Sequence, residues 1–303
     1  MGAGAVPSAS TTRPTAHTRA TDLLELTKPR ITLMVVLTTA AGFWAAATTV
    51  EIATFVGTLV GTALIASGAS ALNQVIELST DALMHRTRER PVAAGRTDPR
   101  TATAFGIGLA ILGTGILLVA ANHLTAGLGV LTLLLYTLIY TPMKRVSSLC
   151  TVVGAVPGAI PPMMGWTAVR DAAPVEAWVL FGILFFWQMP HFLAIAWMHR
   201  EDYERGLQPM LPVDDADGSA TARQMVLYSL GLLPVSLLPA LLGMTGGAYF
   251  IGALLLGLVF LGASVHAARS HTAEAARLLL RVSVIYLPLL LGLLAATKEG
   301  SAP

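Results

Sequence analysis

Nine long apolar runs separated by short polar stretches restrict this 303-residue chain more than any other feature of its sequence. They fall near residues 31–49, 54–75, 102–121, 124–140, 151–168, 176–198, 224–242, 246–266 and 278–296. At a rise of about 1.5 Å per residue, each run is long enough as a helix to cross a hydrocarbon core of about 30 Å. Charged residues make up only 12% of the chain, about half the share of a soluble domain, so a water-soluble fold is excluded. An outer-membrane barrel would alternate apolar and polar residues over about ten positions, and no such alternation is sustained. The expected fold is an all-α polytopic membrane protein, a bundle of about nine transmembrane helices embedded in the lipid bilayer.

Nine crossings put the termini on opposite sides. With the N-terminus inside, 17 of the 19 Lys and Arg residues fall in inner segments, and only Arg170 and Lys298 lie outside. One missed helix would scramble this alternation, so the split supports the span count and a cytoplasmic N-terminus. Residues 1–22 read as a disordered cytoplasmic tail, 23–298 as a single membrane domain and 299–303 as a C-terminal tail. No apolar core of a secretory signal lies in the first 20 residues, and a mitochondrial presequence has only Arg13 and Arg19 to support it. A bacterial inner membrane is the expected location. The single cysteine, Cys150, rules out an internal disulfide or a cysteine-paired metal site. No nucleic-acid partner is expected.

The outer loops are too short to do more than turn the chain, so chemistry belongs on the inner side. There, Asn73, Glu77 and Asp81 recur every fourth residue, and on a continuous helix they form one stripe drifting about 40° per step over about 12 Å. Hard divalent cations take oxygen ligands, and magnesium is usually held by one or two carboxylates while substrate phosphates and water complete its shell. Arg86 and Arg90 continue the spacing and offer planar donor forks suited to phosphate oxygens. The plainer alternative is a solvated helix end with local ion pairs, but Asn73 lies inside an apolar run, where a strongly polar group is costly unless functional or paired.

A second polar stretch follows the sixth run. Asp202 lies just past its end and could complete a metal and diphosphate site from the opposite side of the bundle, or simply be solvated. Gly206, Pro209 and Pro212 then stop the helix. A third basic knot, Lys144–Arg145, is either topogenic, functional or both. His191 falls inside a span, where histidine is costly and often functional. Its readings are ligation or positioning of a cofactor-like substrate, or a hydrogen bond within the bundle; His85 and His199 are weaker candidates.

These residues give the chain a resemblance. Asn73, Glu77 and Asp81, followed by Arg86-Thr-Arg88-Glu-Arg90-Pro91 and Gly95-Arg96, resemble the first acidic motif and basic segment of the intramembrane aromatic prenyltransferase (UbiA) superfamily. The strings Tyr140-Thr-Pro-Met-Lys144-Arg145, Gly158-Ala-Ile-Pro161-Pro162-Met-Met-Gly165-Trp166, Trp187-Gln-Met-Pro190-His191-Phe192 and Pro209-Met-Leu-Pro-Val213 resemble its haem-farnesylating branch. The resemblance runs from Leu26 to at least Tyr228. Ser79 stands where the family usually has an acid, and Gly206 follows Asp202 where the wider superfamily has a second one.

The resemblance implies farnesyl diphosphate as donor, haem b as acceptor and Mg2+ as cofactor, with haem A synthase or oxidase assembly downstream. It implies a metal held by Asn73, Glu77, Asp81 and Asp202, a diphosphate clamped by Arg86, Arg90, Lys144, Arg145 and Arg200, and haem set by His191 and Trp187. Trp166, Phe186, Trp187 and Phe192 could also shield a carbocation through their π faces, or merely pack. Two alternatives stay open: a prenyltransferase of the same fold acting on a quinone-type acceptor, against which the Pro190-His191-Phe192 string counts, and a transporter. A transporter would place polar groups near the bilayer midplane, whereas these acids lie at one face.

Overall fold

The backbone amides of an apolar run have no partner in lipid except one another, so each run closes on itself as a helix. In a computed structural model, which describes residues 18–299, nine helices of this kind follow in order. They are α2 (Pro29–Ala46), α3 (Ile52–Ile76), α5 (Pro99–Ala120), α6 (His123–Leu134) with its extension, α8 (Cys150–Arg170), α9 (Val175–Met198), α12 (Ser219–Leu241), α13 (Gly247–Ser270) and α14 (Ala273–Ala296). Each overlaps its expected run. The extension of α6 is a π-helical segment, Leu135–Tyr140, followed by the turn α7 (Thr141–Met143). Short helices α1 (Arg19–Leu26), α4 (Leu78–Asp81), α10 (Arg200–Arg205) and α11 (Leu211–Asp214) belong to the polar segments.

Neighbours in the bundle follow chain order: α2, α3, α5, α6, α8, α9, α12, α13 and α14 pack in succession, and α14 returns to α2. The ring is therefore closed. α8 also packs against α2 across the ring, and Gly42 and Gly165 make that crossing possible. A Cβ built on Gly42 would stand 1.9 Å from Pro162 O, and one on Gly165 2.0 Å from Thr39 O, so the two backbones touch. One end of the bundle carries the polar segments between α3 and α5, between α7 and α8, and between α9 and α12.

Two expectations change. The tail expected over 1–22 lies outside the described residues up to 17, but from Arg19 the chain is helical, and Asp22 is buried on α1 and ion-paired to Arg96 Nε at 2.8 Å. The stripe of Asn73, Glu77 and Asp81 does not run on as one helix through Arg90. α3 ends at Ile76, α4 ends at Asp81, and residues 82–98 fold as turns with a left-handed Gly95 (φ +71°).

Candidate active site

Asn73, Glu77 and Asp81 come together even though the helix breaks between them, because Glu77 N–H still bonds Asn73 O and Asp81 N–H bonds Glu77 O. They are 1%, 4% and 0% exposed. A buried carboxylate or amide needs a partner, and each of the three has a cationic one. Lys28 Nζ donates to Asn73 Oδ1 at 2.7 Å, Lys144 Nζ to Glu77 Oε1 at 2.7 Å, and Arg90 Nη1 to Asp81 Oδ2 at 2.7 Å while lying 3.7 Å from Glu77 Oε2. Oxygen donors and cations thus interleave in one cluster. Burial would raise the Glu77 carboxyl, but Lys144 and Lys28 outweigh it and hold it below the usual range. At Asp81 burial prevails over Arg90 and the carboxyl is raised. Burial, with Arg90 adding repulsion, pushes the Lys28 ammonium down to about 7.

Lys28 is the member that sequence reasoning did not assign to the site. It precedes Pro29 at the first turn of α2 in a left-handed backbone conformation (φ 48°), which aims the side chain across to α3. Its signal was a lysine at the mouth of an apolar run, in the string Thr27-Lys28-Pro29-Arg30. Thr141 and Tyr140 were also missed as individual contributors. The π-helical segment, a feature that often marks functional sites, ends beside Thr141, whose hydroxyl accepts from Asn73 Nδ2 at 3.2 Å. Tyr140 lies 4.5 Å under Lys144 Nζ, in a space opened by Gly154, where a Cβ would meet its ring at 2.4 Å.

The remaining expected residues divide. Arg145 donates to Ile76 O at 2.7 Å and Ser79 Oγ at 3.1 Å, so both residues serve the break after α3. Arg86 reaches away from Asp81 to Tyr203 Oη at 3.1 Å. Asp202 is 8% exposed; its Oδ1 accepts from His85 N–H at 3.2 Å and Arg205 Nη2 at 3.0 Å, and its Oδ2 from Arg86 N–H at 3.2 Å. It thereby fastens the 82–90 turns to α10. Arg200 lies over the Trp197 ring at 5.9 Å, apart from the Glu77 cluster. Among the described residues no three His, Cys, Asp or Glu side chains form a metal-binding group, so the oxygen set is two carboxylates and an amide. Two carboxylates with space for phosphate oxygens is the donor set magnesium takes.

His191 sits on α9 with Trp187 stacked at 5.0 Å and 26° and Phe192 edge-on at 5.5 Å. Its Nδ1 lies 2.7 Å from Ser283 Oγ on α14, and Trp187 Nε1 donates to Ser283 O at 2.8 Å. The Ser283 hydroxyl already donates its one hydrogen to Leu280 O at 2.7 Å. Both contacts of the Ser283 hydroxyl are satisfied when Nδ1–H is the donor to it, and that tautomer carries its lone pair on Nε2, the form in which imidazole ligates iron. The alternatives posed for His191, ligand or bundle hydrogen bond, are compatible: one nitrogen fixes the ring and the other is left for a ligand. Of the other aromatic residues, Phe186 packs with Phe185 and Tyr228, and Trp166 is buried in the core.

A closed ring of membrane helices with buried oxygen donors and cations gathered at one end defines an intramembrane enzyme of prenyl-diphosphate type. The chain belongs to the UbiA prenyltransferase family, whose family model matches residues 35–294. It is 47% identical over 289 residues to a protoheme IX farnesyltransferase of Solibacter usitatus, covering 92% of this chain and 99% of that one. To the protoheme IX farnesyltransferase of Salinibacter ruber it is 45% identical over 274 residues, covering 90% and 97%. Among solved structures its fold is similar to that of digeranylgeranylglyceryl phosphate synthase (TM-score 0.77, 16% identity, 92% and 98% covered). It is also similar to a UbiA homolog from Archaeoglobus fulgidus bound to GPP and Mg2+ (TM-score 0.64, 12% identity, 90% and 99% covered).

Proposed function

We propose that this chain transfers the farnesyl group of farnesyl diphosphate to a vinyl group of haem b, giving the hydroxyethylfarnesyl side chain of haem O, at the inner face of a bacterial cytoplasmic membrane. One observation carries the chemistry: three buried oxygen donors, Asn73, Glu77 and Asp81, each held by a cation, Lys28, Lys144 and Arg90, at the end of an apolar bundle. Such a cluster fits a ligand that brings both a divalent cation and an anion. Asn73, Glu77 and Asp81 would hold the divalent cation, and Lys28, Lys144 and Arg90 beside them would hold the diphosphate. The relatives' names support the haem acceptor, and the GPP and Mg2+ in a neighbour of the same fold support the donor class.

When bound to Asn73, Glu77 and Asp81, magnesium supplies Lewis-acid neutralisation of charge on the diphosphate. Lys28, Arg90 and Lys144 are cations gathered at the site before a substrate arrives, and they stabilise the negative charge that develops on the leaving diphosphate. As the allylic C–O bond breaks, its electron pair leaves with the diphosphate. The vinyl π electrons form the new C–C bond, and water captures the resulting cation with loss of a proton. Haem is set in this reading by His191 Nε2 and the adjoining Trp187 ring. Asp202 contributes by fastening the turn that carries Arg90.

The test is a product assay on purified protein given haem b, farnesyl diphosphate and magnesium, read by mass spectrometry beside a magnesium-free control. Haem bearing a hydroxyethylfarnesyl group, formed only with magnesium, is the expected result. Folded protein that prenylates a quinone-type acceptor and never haem would overturn the acceptor.

A further inference from the structure

A second polar space lies at the same end of the bundle, and of its lining residues only Asp202 enters the scheme above. It is a cleft of about 500 Å³, within the range of small-molecule sites, between the 82–90 turns, the end of α9 with α10, and the α13–α14 turn. Three histidines, His85, His199 and His271, line it together with Arg200, Arg205 and Trp197. They do not form a metal site among the described residues. The chain builds this wall with care: His271 caps α13 in a left-handed conformation (φ 51°), its ring 5.8 Å from Trp197, and Gly218 (φ +76°) admits the indole where a Cβ would meet it at 2.4 Å.

The charges of the cleft are not equally available. Asp202 is committed to Arg205 and to two backbone N–H groups, and Arg205 Nε is turned back onto Glu201 O. Glu201 is exposed in the first turn of α10. Arg200 has the Trp197 ring beside it and, among the described residues, no carboxylate within ion-pair distance. An unpaired guanidinium flanked by imidazoles, all hydrogen-bond donors when protonated, is a receptor for carboxylate or phosphate oxygens. Geometry selects between them. His191 and Met198, a residue of the cleft wall, are seven positions apart on α9, which puts them on one face about 10 Å apart along the axis. One continuous face of α9 therefore runs from Trp187 past His191 into the cleft, the span of a single flat macrocycle.

We infer that this cleft receives the carboxylate side chains of the tetrapyrrole acceptor, with Arg200 and His271 as the specificity-determining contacts. The inference rests on the haem-acceptor reading. It moves Arg200 from the diphosphate, the role that the resemblance implied for it, to the propionate edge of haem. An acceptor held by its carboxylates at the inner face and by iron at His191 presents its vinyl edge to the bundle interior, where the allylic carbon arrives.

The test compares haem b with its dimethyl ester, which differs only in lacking the two carboxylate charges, by Soret titration of the full chain in phosphatidylcholine nanodiscs. Haem b is expected to bind at least about tenfold more tightly, the scale of one charge-assisted hydrogen bond. In Arg200→Gln and His271→Gln that preference falls toward unity, with the spectral signature of the His191 ligand retained. Equal binding of the two compounds by the unsubstituted protein overturns the cleft assignment and leaves the haem reading standing. No binding of either overturns both. A preference unchanged in Arg200→Gln alongside weakened farnesyl diphosphate binding returns Arg200 to the diphosphate and also overturns the inference.

Discussion

Asp81 and Asp202 are both buried aspartates at the same end of the bundle, and their partners separate their roles. Asp81 faces a side-chain cation that a substrate can displace, Arg90 at 2.7 Å. Asp202 is tied to two main-chain N–H groups, which no ligand displaces without unfolding the 82–90 turns. In Asp81→Asn, kcat/KM is expected to fall by about 100-fold or more, the scale set by losing one preorganised electrostatic contact, and the magnesium concentration for half-maximal activity should rise. Asp202→Asn keeps one acceptor oxygen; it should lose activity about tenfold, the worth of one hydrogen bond to a charged group, with the magnesium titration unmoved and faster amide exchange over residues 82–90. A shifted magnesium midpoint in Asp202→Asn would instead make it a ligand. At this scale the oxygen donors were legible from four-residue spacing, because α3 and α4 nearly preserve helical phase. Lys28 was not, since a left-handed residue before Pro29 redirects a side chain in a way no periodicity records.

At the scale of elements, apolar length identified every long helix, and the differences lie at the polar ends. α12 begins at Ser219 and α14 at Ala273, about five residues before the apolar runs do, because helical hydrogen bonds propagate into the interface whatever the side chains, and Thr272 caps the second of them through Ala275 N–H. Hydropathy reads only the part in lipid. The π-helical segment was illegible because its residues, Leu135–Tyr140, are ordinary span residues. The α2–α8 crossing is the element contact with least tolerance. Gly165→Leu should force α8 off Thr39 and Phe43 of α2, costing about 1–3 kcal/mol or more, as overpacking does. A lowered thermal midpoint in detergent with normal membrane insertion is the expected reading. A midpoint equal to that of the unsubstituted protein would mean that the two backbones are not in contact.

For the whole molecule the governing quantity is the side on which each polar segment lies. Arg170 and Lys298 are the only two basic residues that sequence places outside, and both end on the last turn of α2. Arg170 Nε donates to Ala46 O at 2.9 Å, and Lys298 Nζ donates to Trp44 O at 2.8 Å and also to Ala47 O. Cations at a helix C-terminus are favourable because the final carbonyls lack intrahelical partners and carry partial negative charge. These two charges thus have a local structural use at the end of the bundle remote from the active site, while the 17 others stay at the catalytic end or in the N-terminal segment. An odd number of crossings follows, with the C-terminal segment beside Trp44 and opposite the Glu77–Lys144 cluster. Alkaline phosphatase fused after Pro303 should be active and a green fluorescent reporter there should be dark, whereas the same reporters inserted between Asp215 and Gly218 should behave in the opposite way. If both positions gave the same pattern, the chain would cross the membrane an even number of times between them, and the C-terminal segment would lie on the same side as α10.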